Sequence, residues 1–563
     1  MNDSIRVKKG IYTVCFVLLC LIDQLVGSAM GRVQYVAVNC TGYVIAVLIF
    51  TGCRWREFVK IPYAIWTAVC VIGCTYAIHW GRENYAYGGQ WITAVLNVAI
   101  YGYLVLRLFL RIFVDMSLPR MNWKCLVLWA AAMLGMVLSE NEALWPLWFF
   151  VMFGCFYLTE YSEEELDALF NGMLNGIIIG FFILQGFATM YRAFDQIRYT
   201  GMYTNCNMNA LFYLMVQAAI LGKWYQFKRH GAAILWQVLA GAGSGILLAY
   251  CFLTIGRTAL AVMLLNTVLL VGIFFFREEK RRLLKAAVRL AAVLAAAVIS
   301  FPAVFASVRN IPAQMYSVMV LASDSEGKIQ GMVPYEDTRY IEMDEFLKEA
   351  LGRFFEFFSR LGKTGRSDAP DTGERLAGLL LPSIKVQAAE DIPEEDPAGE
   401  IPWGSGLSPE DPVWTEGNYG DSVNIRWAIY KAYLGRLNFT GHESSEDGVW
   451  LKADLSVPHA HNFLLQIMFS HGVVTGLLFL AILILTFLHC LVRCFGKGTE
   501  NWYYIVGVLT ITSFVGFGTL EVDWRLGQLS FTTLFIVLYL LLHRCPGRRG
   551  KPDVGSGELT ETE

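Results

Sequence analysis

The chain has 563 residues, of which 55% are hydrophobic, 14% aromatic and only 17% charged. Soluble proteins carry about 25% charged residues, so this composition and a mean hydropathy of +0.46 exclude a disordered chain and argue against a single water-soluble globule. A formal net charge of −3 argues against nucleic acid as the main partner.

A helix needs about 20 apolar residues to cross a bilayer, and apolar runs near that length recur about fourteen times. In chain order they cover 11–30, 34–52, 61–79, 91–115, 122–138, 143–159, 167–190, 208–222, 233–253, 256–276, 286–306, 461–492, 501–520 and 526–543. The first follows Arg6, Lys8 and Lys9 as a signal peptide would. It lacks a convincing cleavage site and further spans follow, so it reads as the first helix. This predicts an all-α polytopic membrane protein of about 14 transmembrane helices, with one large extracytoplasmic domain between helices 11 and 12.

Lys and Arg fall on alternate loops. Arg54, Arg56, Lys60, Lys228, Arg229, Arg281, Lys285, Arg493 and Arg549 share one side, while Arg32, Arg82, Arg192, Arg198, Arg257 and Arg525 face the other. The positive-inside rule then makes both termini cytoplasmic and residues 307–458 extracytoplasmic. The acidic stretch Glu160 to Asp167 lies on the inner side. Carboxylates carry little weight in that rule, and these read as a solvated helix start.

The division expected is a transmembrane bundle over 1–306, an outer domain over 307–458, C-terminal spans over 459–543 and a cytoplasmic tail over 544–563. The outer domain holds 26 Asp and Glu against 14 Lys and Arg. Its middle, around 390–402, has the composition of a flexible segment. Two flanking pieces read as helices. One, 341–361, places Phe346, Leu347, Leu351, Phe354, Phe355, Phe358 and Leu361 at roughly helical spacing and caps the bundle or lies on the membrane. The other, 422–437, carries Trp427, Tyr430 and Leu434 around Arg426. None of the 13 cysteines falls in this domain. They read as small apolar packing residues, and no His, Cys or Asp cluster has metal-ligand spacing.

Ionisable groups at membrane depth are costly and tend to mark function. Four stations stand out. Arg198, Asn205, Asn207 and Asn209 open the eighth span, either as helix caps or as donors to an anion or to sugar hydroxyls. Arg257 sits in an almost loopless connection, where it snorkels to headgroups or meets phosphate. Arg426 lies late in the outer domain. His459, His461, Asn462 and Gln466 stand where the chain re-enters the bilayer, with Asn462 and Gln466 on one helix face.

In this order the stations resemble the O-antigen ligase and O-antigen polymerase superfamily. The family's best-known motif is His, then Asn, Ser or Gln, nine residues, Gly, two residues, then Gly, Thr or Tyr. His461-Asn462, nine residues, Gly472-Val-Val-Thr475 is similar to it. The stretch around Arg257 resembles the family's Ser-Arg-Gly/Thr-Ala, with Gly256 where Ser is common. Arg426 to Tyr430 resembles its Arg-x-x-x-Trp/Tyr helix. Gly201 to Asn207 looks like its Gly…Asn-Pro-Asn piece, with Cys206 in place of Pro, and Gly441-His442-Glu443 departs from the Gly-x-Gly that often follows the arginine. The likeness covers roughly 195–490.

The resemblance implies a metal-independent, inverting glycosyltransferase without a cofactor. It would move glycan from a polyprenyl-diphosphate carrier to a glycan or glycolipid acceptor, within the lipid bilayer and alongside other polysaccharide-assembly proteins. His461 would be the catalytic base, with His459 as its alternative. Arg257, Arg426, Arg198, Asn207, Asn462 and Gln466 would bind substrate. The chemistry agrees. Arginine presents a fixed fork to diphosphate oxygens, and a neutral imidazole can take the proton of an attacking hydroxyl. A transporter or flippase of lipid-linked oligosaccharide is the alternative class, although the halves show no internal repeat. A non-catalytic assembly scaffold is another.

Overall fold

The structure is a computed structural model. It describes most of residues 3–363 and 422–542; outside the described residues lie 1–2, 26–40, 55–58, 84–87, 117–122, 142–155, 364–421, 496–501, 519–528, 543–563 and a few short turns. The described chain is predominantly helical. The N-terminal half contains α1 (Asp3–Leu25), α2 (Ile61–Glu83), α3 (Gly88–Phe109, extended by a π-turn over Leu110–Val114), α4 (Trp123–Val137), α5 (Glu163–Tyr191), α6 (Cys206–Arg229), α7 (Ile234–Leu253), α8 (Arg257–Arg277) and α9 (Arg282–Met315). A hairpin β1–β2 (Met319–Ser323, Ile329–Pro334) and the helices α10 (Met343–Lys363) and α11 (Ser422–Gly435) follow. The hairpin β3–β4 (Val449–Lys452, Leu455–Val457) leads into α12 (Phe463–His471), α13 (Val473–Phe495), α14 (Tyr503–Gly518) and α15 (Leu529–Leu542).

Five helices, α5, α7, α8, α9 over Arg282–Pro312, and α13, are long and apolar enough to cross a membrane. Shorter apolar helices occupy Ile61–Gly73, Leu126–Val137, Tyr503–Gly518 and Leu529–Leu541. The apolar run expected at 143–159 falls largely outside the described residues, as do 34–40 of the run at 34–52 and the whole of 390–402.

Three readings of the sequence are refined. The run 461–492 is two helices rather than one, because Gly472 at φ 88° ends α12 and α13 starts at once. The helix expected over 286–306 runs longer, from Arg282 to Met315 through Pro302 and Pro312. The segment 307–458 contains two antiparallel hairpins, pairing Met319 with Pro334 and Val449 with Val457, besides its helices.

Helices in an apolar medium associate through close packing and interhelical hydrogen bonds, and small residues let backbones approach. Gly172, Gly176 and Gly180 form such a seam on α5 against α1: a β-carbon at Gly176 would stand 2.6 Å from the Thr13 carbonyl. Polar groups lock other crossings. The buried Gln217 Nε2 on α6 lies 3.1 Å from Ser244 Oγ on α7, and 3.1 and 3.2 Å from the Met263 carbonyl and Thr267 Oγ1 on α8. Asn266 donates to Ser513 Oγ of α14 at 2.9 Å. These bonds fix α6, α7 and α8 side by side, so the connections at their ends meet.

At that end α10 lies across α7 and α9. Phe346 and Ala350 are buried; Phe346 packs among Phe194, Phe252, Phe301 and Phe305, a burial worth roughly 1.5–3 kcal/mol. Arg309 on α9 stacks over Tyr340 and donates to the carbonyls of Ile341 at 2.6 Å and Tyr340 at 3.0 Å, pinning the start of α10.

Candidate functional site

The turn Thr254-Ile255-Gly256 joins α7 to α8 and sets the first part of the site. Thr254 Oγ1 donates to the Cys251 carbonyl at 2.7 Å and accepts from the Gly256 N–H at 3.1 Å. Ile255 lies at φ 49°, a left-handed conformation that is an outlier for a β-branched residue and costs on the order of 1–3 kcal/mol. The turn is tight enough to make Arg257 the first residue of α8. It also offers the Thr254 carbonyl to the α5–α6 loop, where it accepts from Arg198 Nε at 2.9 Å.

Arg198 is held from a second side by Asn207, whose Oδ1 accepts from Nη2 at 2.6 Å. Asn205 caps α6, its Oδ1 taking the Asn207 N–H at 2.8 Å. The reading of these asparagines as caps therefore holds for Asn205, while Asn207 orients a guanidinium. The two bonds engage two of the five N–H donors of Arg198.

Two further arginines stand beside it. Arg257 Nη1 donates to the Arg353 carbonyl on α10 at 3.3 Å. Arg353 pairs through Nε with Glu349 Oε1 at 2.8 Å, with 43% and 40% of the two side chains exposed. Such an exposed i,i+4 pair is worth only about 0.3–0.5 kcal/mol. Burial pushes the Arg198 guanidinium below its ordinary value; the positive charges of Arg426, Arg353 and Arg257 act in the same direction, and the Cys206 thiol acts against them. Arginine remains protonated under such shifts. The charges of Arg257, Arg353 and Arg426, from three separate segments, thus all act on Arg198.

The histidine segment joins this cluster through α11. Tyr430, one helical turn after Arg426, donates to the His461 carbonyl at 3.4 Å, and Tyr433 donates to the Val457 carbonyl at 3.0 Å. His461 adopts φ 48°, and its ring centroid lies 4.2 Å from that of His459. Asn462 caps α12, its Oδ1 accepting the Leu465 N–H at 3.0 Å. Gln466 is buried and occupied at both ends: Oε1 accepts the Ala460 N–H at 2.7 Å and Nε2 donates to Ser470 Oγ at 3.0 Å. Gln466 thereby fastens the turn that carries His461.

The spacing of the histidine motif acquires a physical basis. The nine residues between Asn462 and Gly472 are the helix α12 itself. Gly472 accepts a left-handed φ, and a β-carbon there would overlap the Phe439 carbonyl. The same loop runs past α12 at Gly441 and sends the Asn438 carbonyl to the Val473 N–H at 2.9 Å. His442 stacks on Phe469 at 4.0 Å, and Ser139 Oγ lies 2.8 Å from His471 Nδ1, so these two histidines serve packing.

The sequence reading missed Arg353, Thr254 and the tie from Tyr430. Arg353 alone carried a signal: with Phe346 and Ala350 it follows the i, i+4, i+7 order of one helix face, a cation in the phase of the apolar stripe. Among the described residues no group of three or more His, Cys, Asp and Glu could hold a metal ion. Comparison with protein-family models, curated proteins and solved structures gives no match.

Proposed function

We propose that this chain is a membrane glycosyltransferase of the O-antigen ligase or polymerase type. It transfers glycan from a polyprenyl-diphosphate carrier to a sugar acceptor in surface-polysaccharide assembly, with no metal or cofactor taking part. In this reading the chain crosses the membrane about fourteen times, both termini are cytoplasmic, and residues 307–458 face outward. What supports the reading is that Arg198 is bonded to the turn that places Arg257 at a helix start, and that the helix carrying Arg426 is tied through Tyr430 to the segment holding His459 and His461.

Like-charged groups held together repel, and a polyanion relieves that repulsion. A diphosphate suits the geometry because arginine presents a planar fork to its oxygens. Arg198, already oriented by Thr254 and Asn207, would grip the donor with Arg257 and Arg426. The acceptor hydroxyl attacks the anomeric carbon, the bond from that carbon to the diphosphate oxygen breaks, and polyprenyl diphosphate leaves with the electron pair. The hydroxyl proton passes to the imidazole of His461. General-base assistance of this kind contributes about 10²–10⁴-fold, and the arginines hold the charge on the leaving group.

The test is chemical. Purified protein in detergent, given a lipid-diphosphate-linked glycan and an acceptor glycan without any ion gradient, releases free polyprenyl diphosphate and forms a new glycosidic bond. Stoichiometric binding without consumption of the donor would overturn the enzyme and favour a flippase.

A further inference from the structure

We infer that Arg353 is a fourth donor-binding arginine, held in reserve by Glu349 and released to the diphosphate when the carrier lipid binds. This rests on the diphosphate reading of the site and adds a residue outside the motifs that suggested it.

Arg353 comes from α10, which is fixed at its start by Arg309 and anchored by Phe346 and Ala350. Arg353 follows those two residues in the phase of the same helix face, with its side chain half-exposed. The Arg257 guanidinium bonds to its backbone carbonyl, which puts the start of α8 against this turn of α10. Its guanidinium is turned to Glu349, one helical turn back on the same helix.

Glu349 is a suitable placeholder. Its link to Arg353 is a single Nε to Oε1 contact between half-exposed side chains, which is weak. A diphosphate presents more charge and more oxygens than one carboxylate, and arginine pairs with it bidentately. Bound carrier therefore competes for Arg353, and Glu349 sets a threshold against weaker anions. A carrier monophosphate, with less charge to offer, gains less from the exchange.

The experiment measures binding of a short-chain polyprenyl diphosphate to the full-length protein in detergent. The variants are Arg257→Ala, Arg353→Ala and Glu349→Gln, and the corresponding monophosphate is the comparison. Loss of one charge-assisted contact predicts a roughly tenfold or greater weakening for Arg257→Ala and for Arg353→Ala. Glu349→Gln frees Arg353 and tightens binding several-fold, narrowing the preference for diphosphate over monophosphate. Were Arg353 merely structural, Glu349→Gln would leave affinity unchanged or weaken it, since the change loosens α10. If the parent binds and Arg257→Ala fails while Arg353→Ala and Glu349→Gln match the parent, this inference falls and the donor site stands. If the parent binds no diphosphate, the reading of the whole site falls with it.

Discussion

Gln466 Oε1 accepts the backbone N–H of Ala460 at 2.7 Å while its Nε2 donates to Ser470, so one buried amide ties the turn bearing His461 to the helix that follows. Removing it leaves buried groups unpaired, at about 1–3 kcal/mol. Gln466→Ala should therefore lower the thermal unfolding temperature and the turnover number, with the KM for acceptor glycan unchanged. A raised acceptor KM with parental stability would restore a direct sugar contact.

Gly472 tests the loop behind the histidines. Alanine there meets a positive φ of 88° with ψ 150°, a region essentially confined to glycine that costs on the order of 1–3 kcal/mol, and collides with the Phe439 carbonyl. Gly472→Ala is expected to lower detergent stability, read by size-exclusion fluorescence on heating. Gly186→Ala on α5, where a β-carbon meets nothing within 4 Å, should match the parent.

Arg198 distinguishes charge from shape. Lysine keeps the charge and loses the fork that meets Thr254 and Asn207. A hydrogen bond to a charged group carries about 1.5–3 kcal/mol, so Arg198→Lys should reduce transfer by about one to two orders of magnitude. Full activity in a steady-state assay would reduce Arg198 to a loop fastener.

The proposed orientation, with 307–458 outside, rests on the distribution of Lys and Arg. Ser405→Cys, in the outer stretch beyond the described residues, should react with a membrane-impermeant maleimide in intact cells. Protection until the membrane is broken would invert the topology.

The helices were legible because an apolar run of membrane length has few other uses, and α7 and α8 coincide with the runs read at 233–253 and 256–276 within a residue or two. The break at Gly472 was not legible. Hydropathy continues across it, and its cause is a backbone approach from Phe439, more than thirty residues earlier. The seam Gly172, Gly176 and Gly180 was visible as a four-residue repeat, but hydropathy passes over glycine spacing. In the site, Arg198, Arg257 and His461 stood out because charge and imidazole are conspicuous beside apolar spans, and Arg426 through the resemblance of the stretch Arg426 to Tyr430 to a family motif. Arg353 did not, because it sits in a segment rich in charge, where only its phase against Phe346 and Ala350 sets it apart. The fate of Gln466 could not be read either, since an amide four residues after Asn462 suits a ligand as well as a turn.

The most direct measurement is single-turnover transfer by His461→Ala protein, loaded with lipid-diphosphate-linked glycan and mixed with acceptor. His461 is placed by Tyr430, by the cap at Asn462 and by Gln466, none of which needs the imidazole, so the variant should fold and bind donor as the parent does. The account predicts a rate lower by about two to four orders of magnitude with donor affinity little changed. Transfer at the parental rate by correctly folded His461→Ala protein would contradict the assignment of the base.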